Sequence, residues 1–337
     1  MDLLKKLTAI AAFALACPAA ELGYFSKHDA GQEVFSFLST FDSPRNAALE
    51  KSASALPTTD PTITQLNPAA ILIADGKNRV AEIHWQTGEF ADNQGTLSFT
   101  TQFNEFILQV SYNWISYGTI VGYNEYGDEN GSEYKPFSQL ATATVTYPMK
   151  HIRFGATLKF ASDKLTGDTG DQTAMAAAFD WGLTWMSDSK NYGFSVVARD
   201  FGAMLRGYVK ENADDEHPLS QTFAFGGFLK PRSVPRLTLF AETDFPRYAE
   251  PDLNLGAEYA LGEYFRIRAG FTRTWLDISR DIKELASSAS RPDETNKARM
   301  LSLGLGYNSS LFSFDYAFSY LASSLGVEHR LGLRVEF

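Results

Sequence analysis

The sequence has little cysteine and no long apolar segment. Its 337 residues include a single cysteine, Cys17, so no intramolecular disulfide can form and a disulfide-stapled fold is excluded. No apolar run of about 18 residues follows the N-terminus, which excludes a protein that spans a membrane with helices. Acidic residues outnumber basic ones by 40 to 30, for a net charge of −10. Phosphate backbones are bound by clustered lysine and arginine, so we expect no nucleic-acid partner.

Motifs that carry catalysis or hold cofactors are also missing. The sequence contains no G-x-S-x-G, no H-E-x-x-H, no Walker loop and no C-x-x-C. Its five histidines are scattered without metal-ligand spacing, at His28, His84, His151, His217 and His329. No motif assembles a nucleophile, a base and a group that orients the base. We therefore expect no catalytic residues, no metal, no cofactor and no enzymatic activity.

The N-terminus has the three parts of an export signal. Lys5 and Lys6 precede a short apolar run over Leu7–Ala16, and small residues follow. Cleavage is expected after Ala16 or Ala19, which makes 1–19 a signal peptide. Cys17 leaves a lipoprotein signal open as an alternative, although alanine stands where such signals usually have leucine.

The rest of the chain is dominated by residues that alternate between apolar and polar. In the segment Leu311–Leu321, for example, every second residue is aromatic from Phe312 to Tyr320, while serine, aspartate and alanine lie between. Such alternation predicts strands with one apolar face. About fourteen segments behave this way. They are Arg79–Thr87, Thr96–Gln102, Phe106–Tyr123, Leu140–Tyr147, Ile152–Phe160, Thr173–Trp185, Tyr192–Asp200, Gln221–Leu229, Arg236–Thr243, Asp252–Ala260, Tyr264–Trp275, Ala298–Asn308, Leu311–Leu321 and the C-terminal Val327–Phe337.

The connections between these segments alternate between short and long. Tight turns such as 103–105 and 261–263 alternate with long linkers such as 201–220 and 276–297. This asymmetry is typical of outer-membrane barrels. The fold class expected is all-β, a transmembrane antiparallel up-and-down β-barrel of about fourteen strands, formed by 79–337, with 20–78 as an N-terminal plug. The segment Phe106–Tyr123 is long for one strand and switches parity near Ile115, which predicts a bulge or kink.

The apolar face of each strand should meet lipid, because aromatic residues gather near the strand ends as they do in membrane girdles. The polar face would then line the lumen with charges of both signs, which favours a filled interior. The last strand should pair with Arg79–Thr87 to remove open edges in lipid. Its apolar face ends on Leu333, Val335 and Phe337, and a terminal aromatic in this position resembles the C-terminal signal that barrel-assembly machinery recognises.

Two N-terminal stretches carry a family resemblance. Phe35–Leu56 reads FSFLSTFDSPRNAALEKSASAL, and Gln65–Ala70 reads QLNPAA. Together with weaker matches in the barrel, such as Phe154–Phe160 and Phe179–Leu183, they resemble the PorV/PorQ family of type IX secretion, with a lean toward the PorQ branch. One departure is Glu50-Lys51, where that family usually has two glycines. The family is itself similar to FadL-type transporters.

This resemblance implies a non-enzymatic outer-membrane barrel that anchors subunits of the surface attachment complex or receives secreted cargo. A FadL-like transporter of hydrophobic compounds is the alternative. Expected partners are outer-membrane lipid, the barrel-assembly machinery, and other secretion or attachment-complex proteins or secreted cargo. The plug motif is Asn67, Pro68 and Ala69, which would form either a turn before the first strand or a hatch over a ligand path.

The long linkers contain apolar stripes among charged residues. An apolar stripe on an exposed loop either packs on the barrel rim or binds a partner. The candidate partner-binding residues are Phe201, Met204, Leu205, Tyr208, Ile278, Ile282 and Leu285. The spacing of the last three is close to that of a short amphipathic helix.

Overall fold

The computed structural model describes residues 32–88, 93–124, 126–165, 171–210, 217–279, 282, 300–322 and 326–337. The predicted signal peptide and the first part of the predicted plug, to residue 31, lie outside the described residues, as does Leu285. No helix in the described part of the chain is long and apolar enough to cross a membrane.

Strands make up most of the described chain. They are β1 Arg79–Thr87, β2 Asn93–Phe103, β3 Phe106–Ser116, β4 Ile120–Tyr123, β5 Glu129–Tyr134, β6 Phe137–Pro148, β7 Ile152–Lys164, β8 Ala174–Met186, β9 Tyr192–Arg206, β10 Thr222–Leu229, β11 Leu237–Pro246, β12 Asp252–Leu261, β13 Phe265–Thr274, β14 Met300–Asn308, β15 Phe312–Ala322 and β16 Gly326–Glu336.

Fourteen of these strands close into an antiparallel barrel in which sequence neighbours are hydrogen-bonded. The barrel closes between β1 and β16, in register from Val80 opposite Glu336 to Thr87 opposite His329. Closure leaves no strand edge to be satisfied in lipid. The expected fold class and the pairing of the last strand with the first are both confirmed.

Two short strands, β4 and β5, form a separate hairpin that follows β3. The expectation of one long bulged strand over Phe106–Tyr123 is therefore wrong. The barrel strand ends at Ser116, and Gly118 adopts a positive φ of 78° in the link to β4. The parity switch marks the end of a strand and the start of another element.

The apolar face of the barrel points outward. Leu158 is 65% exposed while the next residue, Lys159, is 3% exposed. The same alternation runs through most strands, so large apolar side chains cover the outside and polar side chains lie inside. An apolar outer band with a polar interior belongs to a barrel in lipid. The protein is an outer-membrane β-barrel.

The two ends of the barrel differ. At one end the strands are joined by short turns such as 187–191 and 230–236, and the C-terminal Phe337 lies there beside Arg79. We call this the turn end. The opposite loop end carries the β4–β5 hairpin and the longer links. Because short turns are periplasmic in such barrels, the loop end is extracellular.

Residues 32–78, the lumenal segment, run inside the barrel. The segment forms one α-helix, α1 at Pro44–Ala48, and 3-10 helices at Ser36–Ser39, Pro61–Gln65 and Pro68–Ala70. Three of these four helices begin with a capping residue followed by proline. Ser43, Asp60 and Asn67 each accept a hydrogen bond from a backbone N–H in the first turn. Proline at the first helical position has no N–H to leave unsatisfied, so each pair starts a helix efficiently.

Candidate functional site in the barrel lumen

The lumenal segment is seated against inward-facing glycines of the barrel wall. A methyl group built on any of seven of them would come within about 3 Å of the segment. The contacts, in segment order, are Pro44 with Gly332, Ala48 with Gly304, Glu50 with Gly270, Ser52 with Gly256, Ser54 with Gly226, Asn67 with Gly182, and Pro68 with Gly155. These glycines lie on β16, β14, β13, β12, β10, β8 and β7, in the spatial order of the barrel. The segment therefore follows the inner circumference, and the glycines make room for its backbone.

The predicted plug motif lies at the end of this path. The Asn67 side chain donates to the carbonyl of Ser54 at 2.9 Å, which ties two parts of the segment together. The Arg153 Nε donates to the Ala69 carbonyl at 2.9 Å, and its guanidinium also contacts the carbonyl of Ile71. Asn67, Pro68 and Ala69 thus form a capped turn that is fixed to the β7 wall.

A buried ion-pair cluster stands in the wall near the middle of the barrel. The Lys159 ammonium lies 2.7 Å from Asp180 and 2.8 Å from Asp200. Asp200 has a positive φ of 61° and sits where the pairing of β8 with β9 shifts register. The bulge turns Arg199 and Asp200 inward together. Arg199 reaches Glu242 at 3.4 Å and also pairs with Asp244.

A second set of charges connects α1 to the wall. Arg45 lies 3.3 Å from Glu258, which also binds Arg268 at 2.7 Å. Arg268 in turn pairs with Asp315. In these two networks each charge has a partner of opposite sign, which allows the charges to remain in the interior. These networks and the lumenal segment fill the turn-end half of the lumen.

A third cluster lies at the closure of the barrel and was not recognised in the sequence. Asp60, Glu82 and His84 place one ligand-type atom each within 4.8 Å of one another. His84 Nε2 is 2.8 Å from Glu82, and the Arg334 guanidinium lies 3.8 Å from the same carboxylate. Burial alone would raise the pKa of Asp60. The charges of His84 and Arg334 have the larger combined effect in the opposite direction, so the pKa of Asp60 lies below its ordinary value. The cluster therefore balances its own charge and pins the lumenal segment to β1 and β16.

An apolar cluster lies in the loop-end half of the lumen, beside the buried hydrogen bond between Ser138 and Asp163. Here small and aliphatic wall residues face inward and aromatic residues of the lumenal segment pack on them. We call this set the upper apolar cluster. It comprises Phe35, Phe37, Leu38 and Phe41 of the segment with Ile115, Leu140, Ala161, Ala174, Ala176, Ala178 and Leu219 of the wall and loops. Barrel interiors are usually polar, so an inward-facing apolar cluster is an unusual property of this barrel.

The predicted partner-binding residues do not form one exposed stripe. β9 extends to Arg206, so Phe201, Met204 and Leu205 lie on a strand and not in a loop. Met204 and Tyr208 pack against the upper apolar cluster, whereas Leu205 is 62% exposed on the outer face. Alternation along a strand sends successive side chains to opposite faces. The expected loop location is therefore wrong for Phe201, Met204 and Leu205, and partner binding by these residues stays a prediction.

The second predicted loop is described only at its start. A short helix covers 275–279, where Ile278 is half-buried, and Ile282 is 64% exposed. Its role in partner binding stays a prediction, as does the assembly role of the C-terminal residues. Leu333, Val335 and Phe337 face outward, and Phe337 exchanges backbone hydrogen bonds of 2.9 and 3.0 Å with Arg79.

No protein-family model and no curated protein matches the sequence. Solved structures do match in shape. The Ralstonia pickettii toluene transporter TbuX superimposes with a TM-score of 0.61 at 13% identity, over 90% of this chain and 100% of that one. The P. putida toluene transporter TodX gives 0.52 at 11% identity, over 80% and 92%. At this identity the likeness shows the fold: the chain has the barrel architecture of these hydrocarbon transporters.

Proposed function

We propose that the protein is a FadL-like transporter that passes small hydrophobic compounds across the outer membrane, and that it is not an enzyme. The observation that carries this proposal is the upper apolar cluster. A channel for ions or sugars needs a wet, polar lumen, whereas Leu140, Ala174, Ala176 and Ala178 turn an apolar wall inward at the extracellular half. Apolar pockets of this kind suit apolar ligands. The shared architecture with two toluene transporters supports the same class of cargo.

The residues behind the type IX secretion resemblance lie inside the barrel. Phe35–Leu56 and Gln65–Ala70 belong to the lumenal segment and are mostly buried against the wall. They therefore present little surface to a secreted cargo or a surface subunit. A role in holding other proteins has no comparable support from the described residues.

Tracer uptake by cells tests the proposal. Cells that carry the protein should accumulate labelled toluene or a labelled long-chain fatty acid faster than cells without it. Ala176→Asn places a polar group in the apolar wall and should reduce uptake several-fold. Thr144→Asn, on the polar part of the inner wall of β6, is the matched control and should leave uptake near the wild-type rate.

The secretion role makes the opposite prediction. If removal of the protein leaves uptake unchanged but abolishes surface attachment of secreted proteins, the transporter proposal is wrong. Equal uptake by Ala176→Asn, Thr144→Asn and the wild type would show that the upper apolar cluster does not line the path.

A further inference from the structure

The outer wall of the barrel carries an apolar groove, on the opposite side of the wall from the lumen. It has a volume of about 760 Å³ and crosses β9 to β14 on the lipid-facing side. Small residues form its floor, namely Gly227, Ala241, Ala257 and Ala269. Larger outward residues form its rims and ends, namely Tyr192, Leu229, Leu239, Leu255, Phe271 and Leu301. The rims are apolar and exposed, with Leu229 at 49% and Leu255 at 41%.

The strand register explains why the floor is continuous. Gly227 pairs with Ala241, which pairs with Leu255 on the next strand. One row closer to the turn end, Leu239 pairs with Ala257, and Ala257 pairs with Ala269. The small residues therefore continue from one cross-strand row into the adjacent row, and the space above their short side chains forms one continuous trough.

The groove rises along the membrane normal by about the thickness of one leaflet. Five strand spacings of about 4.8 Å give roughly 24 Å. Strands tilted by about 40° turn that length into a rise of roughly 15 Å along the membrane normal, about half of the apolar thickness. The groove begins beside the turn end, where Tyr192 opens β9 and Leu229 closes β10, and it ends at Leu301, far from the turns. It therefore lies in the periplasmic leaflet.

Cations gather where the groove meets the turn end. The turns 187–191 and 230–236 are tied together by the Lys230 N–H, which donates to the Asn191 carbonyl at 2.6 Å. They expose Lys190, Arg232 and Arg236. Asp188 is the one carboxylate in these two turns, and it lies 3.4 Å from His151. The surface below the groove is therefore positively charged, with free donors for an anionic oxygen.

We propose that the groove binds the acyl chains of one anionic phospholipid, with its phosphate against Lys190, Arg232 and Arg236. An empty trough in a lipid-facing wall forfeits dispersion contacts along its whole length, and flexible acyl chains restore them. A zwitterionic headgroup carries its own cation, which the basic turns repel. The site therefore selects an anionic headgroup over a zwitterionic one.

Native mass spectrometry of the full-length protein in mild detergent tests this inference. The probes are phosphatidylglycerol and phosphatidylethanolamine with the same acyl chains. The wild type should retain one phosphatidylglycerol and bind it about tenfold more tightly than phosphatidylethanolamine. The double variant Ala241→Leu with Ala257→Leu fills the trough and should lose this lipid. The matched control, Ala141→Leu with Ala143→Leu, adds the same volume to the exposed outer face of β6 and should retain it.

A third variant separates the headgroup from the chains. Replacing Lys190, Arg232 and Arg236 by glutamine should leave a lipid bound but abolish the preference for phosphatidylglycerol. Retention of the lipid by the trough-filled variant would overturn the proposal, as would equal binding of the two lipids by the wild type. A fall in hydrocarbon uptake with unchanged lipid binding in the trough-filled variant would also overturn it, because the groove would then be an exit for transported compounds.

Discussion

The close fit of the lumenal segment against the wall glycines can be tested by adding one methyl group to a glycine. Gly155→Ala would place a Cβ 2.2 Å from the carbonyl carbon of Pro68 and 2.4 Å from the backbone nitrogen of Ala69. Ordinary contacts begin at 3.4 Å, so the turn must move by at least about 1 Å. Both clashing atoms belong to the backbone, so no rotation of a side chain relieves them. The movement also misaligns the hydrogen bonds that Arg153 donates to this turn.

The expected size of the effect follows from these contacts. Overpacking of this kind costs about 1–3 kcal/mol. Every 1.4 kcal/mol changes an equilibrium tenfold, so the unseated population should rise roughly 5- to 150-fold. Loss of hydrogen bonds from the charged Arg153 adds to this, at about 1.5–3 kcal/mol each. We therefore expect a clear increase in the time that the barrel spends with an open lumen.

Conductance of single barrels in planar bilayers measures that time directly. Gly227→Ala is the matched control, because its outward Cβ meets no atom closer than the Gly193 carbonyl oxygen at 3.5 Å. Only protein that shows heat-modifiable migration on gels, and is therefore folded, should be compared. If folded Gly155→Ala conducts no more often than Gly227→Ala and the wild type, the segment does not depend on this glycine seat.

Three further predictions concern single residues. Lys159→Met should lower the free energy of unfolding by about 3–5 kcal/mol in denaturant titrations, because it leaves Asp180 and Asp200 unpaired, whereas Lys164→Met at the exposed end of the same strand should change little. Burial raises the pKa of Glu50 above its ordinary value of 4.5, so the seated segment is more stable at low pH and loses that stability as the pH rises through the raised pKa. Glu50→Gln should therefore raise the melting temperature at pH 8 but not at pH 4, and equal shifts at both pH values would contradict this sign. Deletion of Phe337 should lower the folded, membrane-inserted amount on unboiled gels, while Phe103→Ala, another exposed turn-end aromatic, should not.

The alternation of apolar and polar residues was sufficient to predict the barrel, but it misplaced strand ends where a bulge interrupts the alternation. β1 spans Arg79–Thr87 as predicted, since one buried and one lipid-facing row leave a clear period of two. β9 was expected to end at Asp200, but a bulge at that residue shifts the parity and the strand continues to Arg206. A bulge inserts one residue, so the apolar set changes from one parity to the other. The sequence pattern alone cannot distinguish this shift from the end of a strand.

The lumenal site could be predicted only in outline. Charged residues on the polar faces indicated a filled interior, and the capping pairs around Asn67-Pro68 indicated a turn. The glycine seats and the Asp60–Glu82–His84 cluster could not be recognised, because each joins residues that are distant in sequence and meet only after closure. Glu82 and His84 lie two residues apart on one face of β1, but they form a cluster only because folding brings Asp60 and Arg334 close to them.

The two halves of the lumenal segment are held by different forces, which determines which half can yield to a ligand. The part from Pro44 to Ala70 is fixed by close contacts with the wall glycines, by capped turns and by the Arg45–Glu258 pair. If this part of the segment moved away, the polar groups of the turns and of the ion pair would need new hydrogen-bond partners. The part around Phe35 and Phe41 is held mainly by apolar packing. Two hydrogen bonds add to it: the Val34 N–H donates to the Pro218 carbonyl at 3.0 Å, and the Gln94 side chain donates to the Thr40 carbonyl at 3.1 Å. Apolar packing is not directional, so a hydrophobic guest can replace the aromatic rings on the alanine wall at little net cost. A transported compound would therefore displace the loop-end half first, while the seated half continues to close the barrel toward the periplasm.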